Sequence, residues 1–328
     1  VAADHFIRMV SIVPNASIVP HALYDAATVN YEAGNLTKSA KLLELFSSGY
    51  PDHELSFGAR EKLAFIYSET GNNVRAAHAY SALAAIEPDP ERKHSWLLQA
   101  ADLYQQEGNP VQAINILERY QSLNTSNEAG YYKISNRIAD LEKERGDNTA
   151  YRQKLKQIID QVHLQSSSSG VLQQGAIATL ALANSYYNEY TSITLGHPVQ
   201  ETMSKKTNAM KLALKYYREA NEYHISSATT AATFHIAEIY RHLSQALLNS
   251  PQPKGLSSEE QEVYILMLEE QAFPLEERAI AHHQLNIQRV ENGIYDDWVK
   301  QSFRTLAQLQ PVKFDKTEQM DSIITQLK

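Results

Sequence analysis

Cysteine is absent from the 328 residues. Disulfides, thiolate nucleophiles and cysteine-bound metals are thereby excluded. Glycine and proline are scarce, at 12 and 11 residues, which disfavours turn-rich β structure. No stretch alternates with period two for long enough to suggest a strand. No apolar run approaches the roughly 20 residues that a membrane-spanning helix needs. Basic residues are the minority, 30 against 38 acidic ones, for a net charge of −8. Phosphate binding needs a basic face, so nucleic acid is not the expected ligand. GxSxG, GxGxxG, P-loop and HExxH motifs are all missing. The chain opens at Val1 without a basic stretch leading into an apolar run, so no signal peptide is expected and the start reads as a processed or engineered boundary.

What is present is helical and repetitive. Apolar residues make up 43% and charged ones 21%, and tyrosine outnumbers phenylalanine 19 to 8. Tyrosine has an apolar body and a polar tip, which suits the rims between small helices. The stretch Leu63–Pro88 sets the pattern: Tyr67, Gly71-Asn72, Ala76, Tyr80 and a closing Pro88. The spacing predicts two short amphipathic helices meeting at Gly71, with small Ala76 letting them approach closely. Tyr104, Gly108-Asn109, Ala113 and Leu117 repeat these offsets. A first copy is placed on Tyr31, Gly34-Asn35 and Ala40, with its glycine one residue early. A fourth is placed on Leu141 and Gly146-Asp147, with either Ala150 or Tyr151 at the small position.

Beyond the QSSSSG break at 165–170 the pattern loosens. A helix over roughly 171–190 is followed by an expected insertion at 191–206, then a helix carrying Ala213, Tyr216, Tyr217 and Ala220. A sixth unit begins near Ala228. Ser257 or Ser258 reads as a helix start, and Pro274 as the opening of the next helix. The last pair carries Gly293, Tyr295, Trp298 and Leu306. The expected organisation is a leading segment at 1–20, regular repeats at 21–163, irregular pairs at 164–250, and a final pair with a capping helix at 251–328.

These offsets resemble the tetratricopeptide repeat (TPR). The resemblance implies an all-α, right-handed superhelical solenoid of about seven helix-turn-helix pairs, working as a non-enzymatic scaffold that binds proteins. In peptide-binding members, first-helix positions two, five, six and nine face the groove. That register implies the groove residues Glu61 and Phe65 in repeat two, Gln99 and Asp102 in repeat three, Asn136, Arg137 and Asp140 in repeat four, and Glu238 in repeat six. The Lys/Asn clamp that some members use to hold a C-terminal carboxylate is absent. Residues 253–299, with LEEQAFPLEE and GIYDDWV, resemble the C-terminal part of bacterial cell-envelope repeat proteins linked to TonB-type systems or gliding motility. This second resemblance implies assembly or coupling of an envelope machine and a periplasmic or envelope-associated location, with the cytoplasm as the alternative. It implies a protein or peptide partner, no transmembrane segment and no cofactor. Self-association through terminal repeats is a further expectation.

The residues offer little chemistry. His235 and His242 share a helix face around Glu238, but seven residues put them about 10.5 Å apart, too far to converge on one ion. Adjacent His282 and His283 point to different faces. The pairs Glu259-Glu260, Glu269-Glu270 and Glu276-Glu277 read as exposed or first-turn acids, not as carboxylates facing across a cleft. No catalytic or metal site is therefore expected. The alternative function is a small-molecule-sensing or enzyme-associated module, with the 191–206 insertion capping a pocket, or a structural spacer of a larger protein.

Overall fold

The computed structural model describes residue 12 and residues 16–123, 127–165, 168–196, 199–253 and 255–315. Most of the expected leading segment, residues 166–167 of the QSSSSG break, residues 197–198 of the insertion and residues 316–328 of the expected capping helix lie outside them. Among the described residues every regular element is a helix: α1 Val19–Glu32, α2 Leu36–Gly49, α3 Ser56–Glu69, α4 Asn73–Ile86, α5 Pro90–Gln106, α6 Pro110–Leu123, α7 Glu128–Glu144, α8 Asn148–Gln165, α9 Ser169–Ser192, α10 Val199–Glu222, α11 Ser226–Leu248, α12 Ser258–Ile287, α13 Asp297–Leu309 and α14 Pro311–Phe314. A 3-10 turn, Gln288–Asn292, follows α12. The helices form two compact units, Val1–Tyr151 and Arg152–Lys328.

Local chemistry sets the ends. In α1, Val19, Ala22, Leu23, Ala26 and Ala27 recur on one face and are buried. Pro90 and Pro110 stand at first-turn positions, where a missing N–H costs nothing. The Asp89, Asn127 and Ser168 side chains cap α5, α7 and α9, and Ser257 with Glu260 forms a capping box on α12. Gly34, Gly71, Gly108, Gly146 and Gly293 all take a left-handed backbone, φ between +65° and +86°. At each, the glycine N–H bonds back three residues and the next N–H bonds back five, as from Asn72 to the Tyr67 carbonyl (2.8 Å) and from Asn109 to that of Tyr104 (2.9 Å). This double bond pattern closes a helix C-terminus locally.

The same bonds correct the reading of the first pair. Asn35 N–H reaches the Asn30 carbonyl, so Asn30, not Tyr31, is the counterpart of Tyr67. By the same count Ser39, not Ala40, is the counterpart of Ala76. Asn30 is buried with its amide on the Ala26 carbonyl, and Ser39 is fully buried with its hydroxyl on the Ala27 carbonyl. Each satisfies itself on the backbone, so a polar residue fits where a tyrosine and an alanine stand elsewhere. In the fourth pair Tyr151, 3% exposed, takes the small-residue position.

Two further expectations are corrected. Most of the 191–206 stretch is not an insertion loop, because α9 and α10 are 24 residues each and take it up as helix. Pro274 does not open a helix. It sits inside the 30-residue α12, which joins the second helix expected in the sixth pair to the first helix expected in the last.

Within the first unit each helix from α1 to α7 packs on the next in sequence. The core alternates small and large residues: Ala76, Ala77, Ala100, Ala101 and Ala113 lie against Tyr80, Leu97, Tyr104 and Leu117. In the second unit α9 to α13 pack in the same serial way, with α11 also touching α9 and α13. Gly175 on α9 marks a close approach: a Cβ there would stand 2.7 Å from Val162 Cγ1 and 2.8 Å from Tyr223 Cε1.

Candidate interaction face

In the first unit, polar and aromatic side chains join each first helix to the next. Lys62 Nζ on α3 donates to Thr28 Oγ1 on α1 (2.8 Å), and Phe65 meets Tyr31 edge-on. Arg92 on α5 pairs with Glu61 on α3 at 2.8 Å. Arg137 on α7 pairs with Asp102 and donates to Gln105 Oε1 on α5 at 3.0 Å, and Gln105 donates on to Glu144 at 3.1 Å. The rungs make α1, α3, α5 and α7 one continuous face.

Seven of the eight implied groove residues fall on α3, α5 and α7 of this unit. Their situations differ. Glu61, Asp102 and Arg137 are engaged in the rungs. Gln99 hydrogen-bonds the Tyr80 hydroxyl, whose pKa burial raises. Asn136 is buried at 8% exposure. Phe65, 42% exposed, and Asp140, exposed and without an ion pair among the described residues, are open to a partner.

Glu238 is placed otherwise. It belongs to the second unit, is buried, and binds Arg241 through both oxygens. It also accepts from His283 Nε2 at 3.2 Å. Burial alone would raise its carboxyl, but the hydrogen bonds from His283 and Arg241 and the Arg241 charge outweigh that and hold it at about 2. His283 Nδ1 lies 3.3 Å from the Ser302 hydroxyl, which also accepts from Asn286 Nδ2 at 3.0 Å. With Nε2 donating to Glu238, Nδ1 of a neutral ring accepts from Ser302. Ser302, His283 and Glu238 thus follow the order of a nucleophile, base and acid. Ser302 and His283 are 0% exposed, so no substrate atom reaches them. The network clamps α11, α12 and α13 together. Sequence reasoning missed it because its members lie 19 and 45 residues apart. Only the Glu238/Arg241 spacing of three was a visible cue.

Two other buried groups stand out in this unit. His235 is packed among Tyr187 on α9, Tyr217 on α10 and Trp298 of α13, stacked on Tyr217 at 5.2 Å. Burial lowers its pKa to about 4 against a small opposing pull from Glu238. Lys206, 1% exposed, donates to the carbonyls of Tyr190 (2.9 Å) and Ile193 (2.8 Å) and lies over the Tyr190 ring. It closes the C-terminus of α9, where a cation is favoured, and burial lowers its pKa. A cavity of about 280 Å³ opens beside it, lined by Ile193, Thr194, Leu195, His242, Gln245 and Asn249 among others. The buried Nδ1 of His242 has no hydrogen-bond partner there.

No family model matches the chain, and no curated protein does. Among solved structures it is similar to a tetratricopeptide repeat protein from Parabacteroides merdae, at 14% identity over 88% of this chain and 98% of that one, TM-score 0.33. It is also similar to nearly identical TPR-like repeats from Podosopora anserina, at 15% identity over 61% of this chain and 94% of that one, TM-score 0.34. A third is a signal transduction ATPase with a tetratricopeptide repeat sensor from Pyrococcus horikoshii, at 12% identity over 94% of this chain and 48% of that one, TM-score 0.36. The class that the fold itself defines is an all-α, TPR-like series of helix pairs. Among the described residues no helix is long and apolar enough to cross a membrane.

Proposed function

We propose that the first unit binds an extended or helical segment of another protein along α3, α5 and α7, and that the chain is a scaffold without chemistry of its own. The observation that carries this is the set of rungs between first helices. Rungs fix the spacing of Phe65, Gln99 and Asp140 before a partner arrives, which reduces the ordering cost of binding. Phe65 supplies an apolar anchor and Asp140 a free charge that sets register. The likeness of residues 253–299 to envelope repeat proteins further supports a role in assembling or coupling a bacterial cell-envelope machine, in or facing the periplasm. The test is capture from an envelope extract by the intact chain and by a Phe65→Ser/Asp140→Lys variant, neither position carrying a hydrogen bond or ion pair of a rung. The reading expects at least tenfold less capture by the variant. Equal capture overturns it.

A second reading, a small-molecule sensor, is favoured by the cavity beside Lys206 and His242. It expects a metabolite that raises the melting temperature of the intact chain but not of a Thr194→Trp variant in which that cavity is filled. Equal shifts in both would remove it.

A further inference from the structure

Among the described residues, one side of the first half of α12 is left without the partner that its composition calls for. Contacts pair α12 with α11 in antiparallel sense: Asn286 on the Thr230 carbonyl, His283 on Glu238, and His282 and Arg278 on the Tyr240 ring. Continued at the same pace, this pairing reaches Leu248, the end of α11, level with about residue 272. At 3.6 residues per turn α12, which starts at Ser258, therefore runs on for roughly four turns beyond α11.

This overhang is apolar on two sides. At 100° per residue, Leu268 and Ala272 share one side, and both are buried. Val263, Leu266, Met267 and Phe273 fall within an arc of about 120° on the opposite side. They are 66%, 63%, 42% and 65% exposed. At the start of the helix, Pro253, Leu256, Val263, Tyr264 and Met267 frame an apolar groove of about 340 Å³. Solvent-facing apolar residues at this density mark an interaction surface.

Charge identifies the occupant. Residues 255–277 hold seven glutamates (Glu259, Glu260, Glu262, Glu269, Glu270, Glu276 and Glu277) and no lysine or arginine. A second copy of this chain laid on the stripe would set glutamates against glutamates, and like charges across an interface disfavour pairing. The chain's own residues 316–328 carry Lys316 and Lys328 against Glu318 and Asp321, a balance that offers no complement. We propose that the overhang of α12 is a docking surface for a helix from another protein, apolar at spacings of three and four and flanked by lysine or arginine.

The full chain would be titrated into two fluorescent synthetic helices with the same leucine stripe, one flanked by lysines and one by glutamates, with anisotropy as the readout. The expected result is saturable binding of the lysine-flanked helix at least tenfold tighter than of the other. Leu266→Ser/Phe273→Ser, exposed and so checked for unchanged helicity by circular dichroism, should weaken it at least tenfold. Glu259→Lys/Glu262→Lys/Glu270→Lys should reverse the preference between the two helices. Equal binding of both helices, or of the serine variant and the parent, overturns the proposal, as does no binding. Dimerisation that the serine variant abolishes makes a second copy the occupant. Binding that appears only when 316–328 are removed makes the tail the occupant. Both of these also overturn it.

Discussion

Lys206 holds the end of α9 by two hydrogen bonds from one ammonium group. Replacing it with methionine keeps the stem and strands both carbonyls. Lys206→Met should lower stability by about 2 kcal/mol, read as a lower urea midpoint with unchanged slope. His235 acts on stability in the other direction as pH falls. Its folded pKa of about 4 lies below the ordinary 6.5, so between these values the unfolded chain binds the extra proton. The stability that the neutral ring supports is complete above pH 6.5 and drains away as pH falls towards 4. It amounts to about 2 kcal/mol after discounting the partly open edge of the ring. Tyr187, Tyr217 and Trp298 offer the incoming charge no carboxylate, and Glu238 is already committed to Arg241 and His283. His235→Phe should leave stability at pH 7 within about 1 kcal/mol of the parent and flatten this part of the pH profile. A parent and variant with the same profile between pH 4 and 6.5 would show that another group titrates there.

At the scale of elements, α12 is the point of tension. Pro274 removes the hydrogen bond that Glu270 would otherwise accept, and its ring crowds that carbonyl. Pro274→Ala should stabilise the chain by about 1 kcal/mol or more, seen as a raised melting temperature. The sequence of this region shows why the boundary was misread. Proline followed by Leu275, Glu276 and Glu277 has the chemistry of a helix start, and only burial of residues on both sides of it carries the helix through. The glycine turns were legible because a left-handed residue admits few alternatives. The frame of the first pair was not, because Tyr31 lies beside the tyrosine position and draws the alignment off Asn30. Register also placed seven side chains on one run of first helices. It could not tell that Glu61, Asp102 and Arg137 would be taken by neighbours, since Arg92 and Asp102 come from a different repeat than the residues they pair with.

For the molecule as a whole, nearly every helix contact is with the next or the next but one in sequence. Such a chain lacks the long-range contacts that make unfolding all-or-none. Hydrogen exchange should therefore be graded, with α13 and α14 opening before α11 in the second unit and α1 opening before α5 in the first. Uniform protection across either unit would contradict the serial packing.

The rungs of the first unit have a mechanical side. Each joins residues 31 to 39 apart in the chain, as Glu61 to Arg92 and Gln105 to Glu144 do. Pulled from its ends, the unit would yield one hairpin at a time, each rung breaking before its hairpin pays out. A hairpin of that size releases about 12 nm of extended chain. The unit would then act as a shock absorber, lengthening in steps under load and recoiling as each turn re-forms around its own glycine.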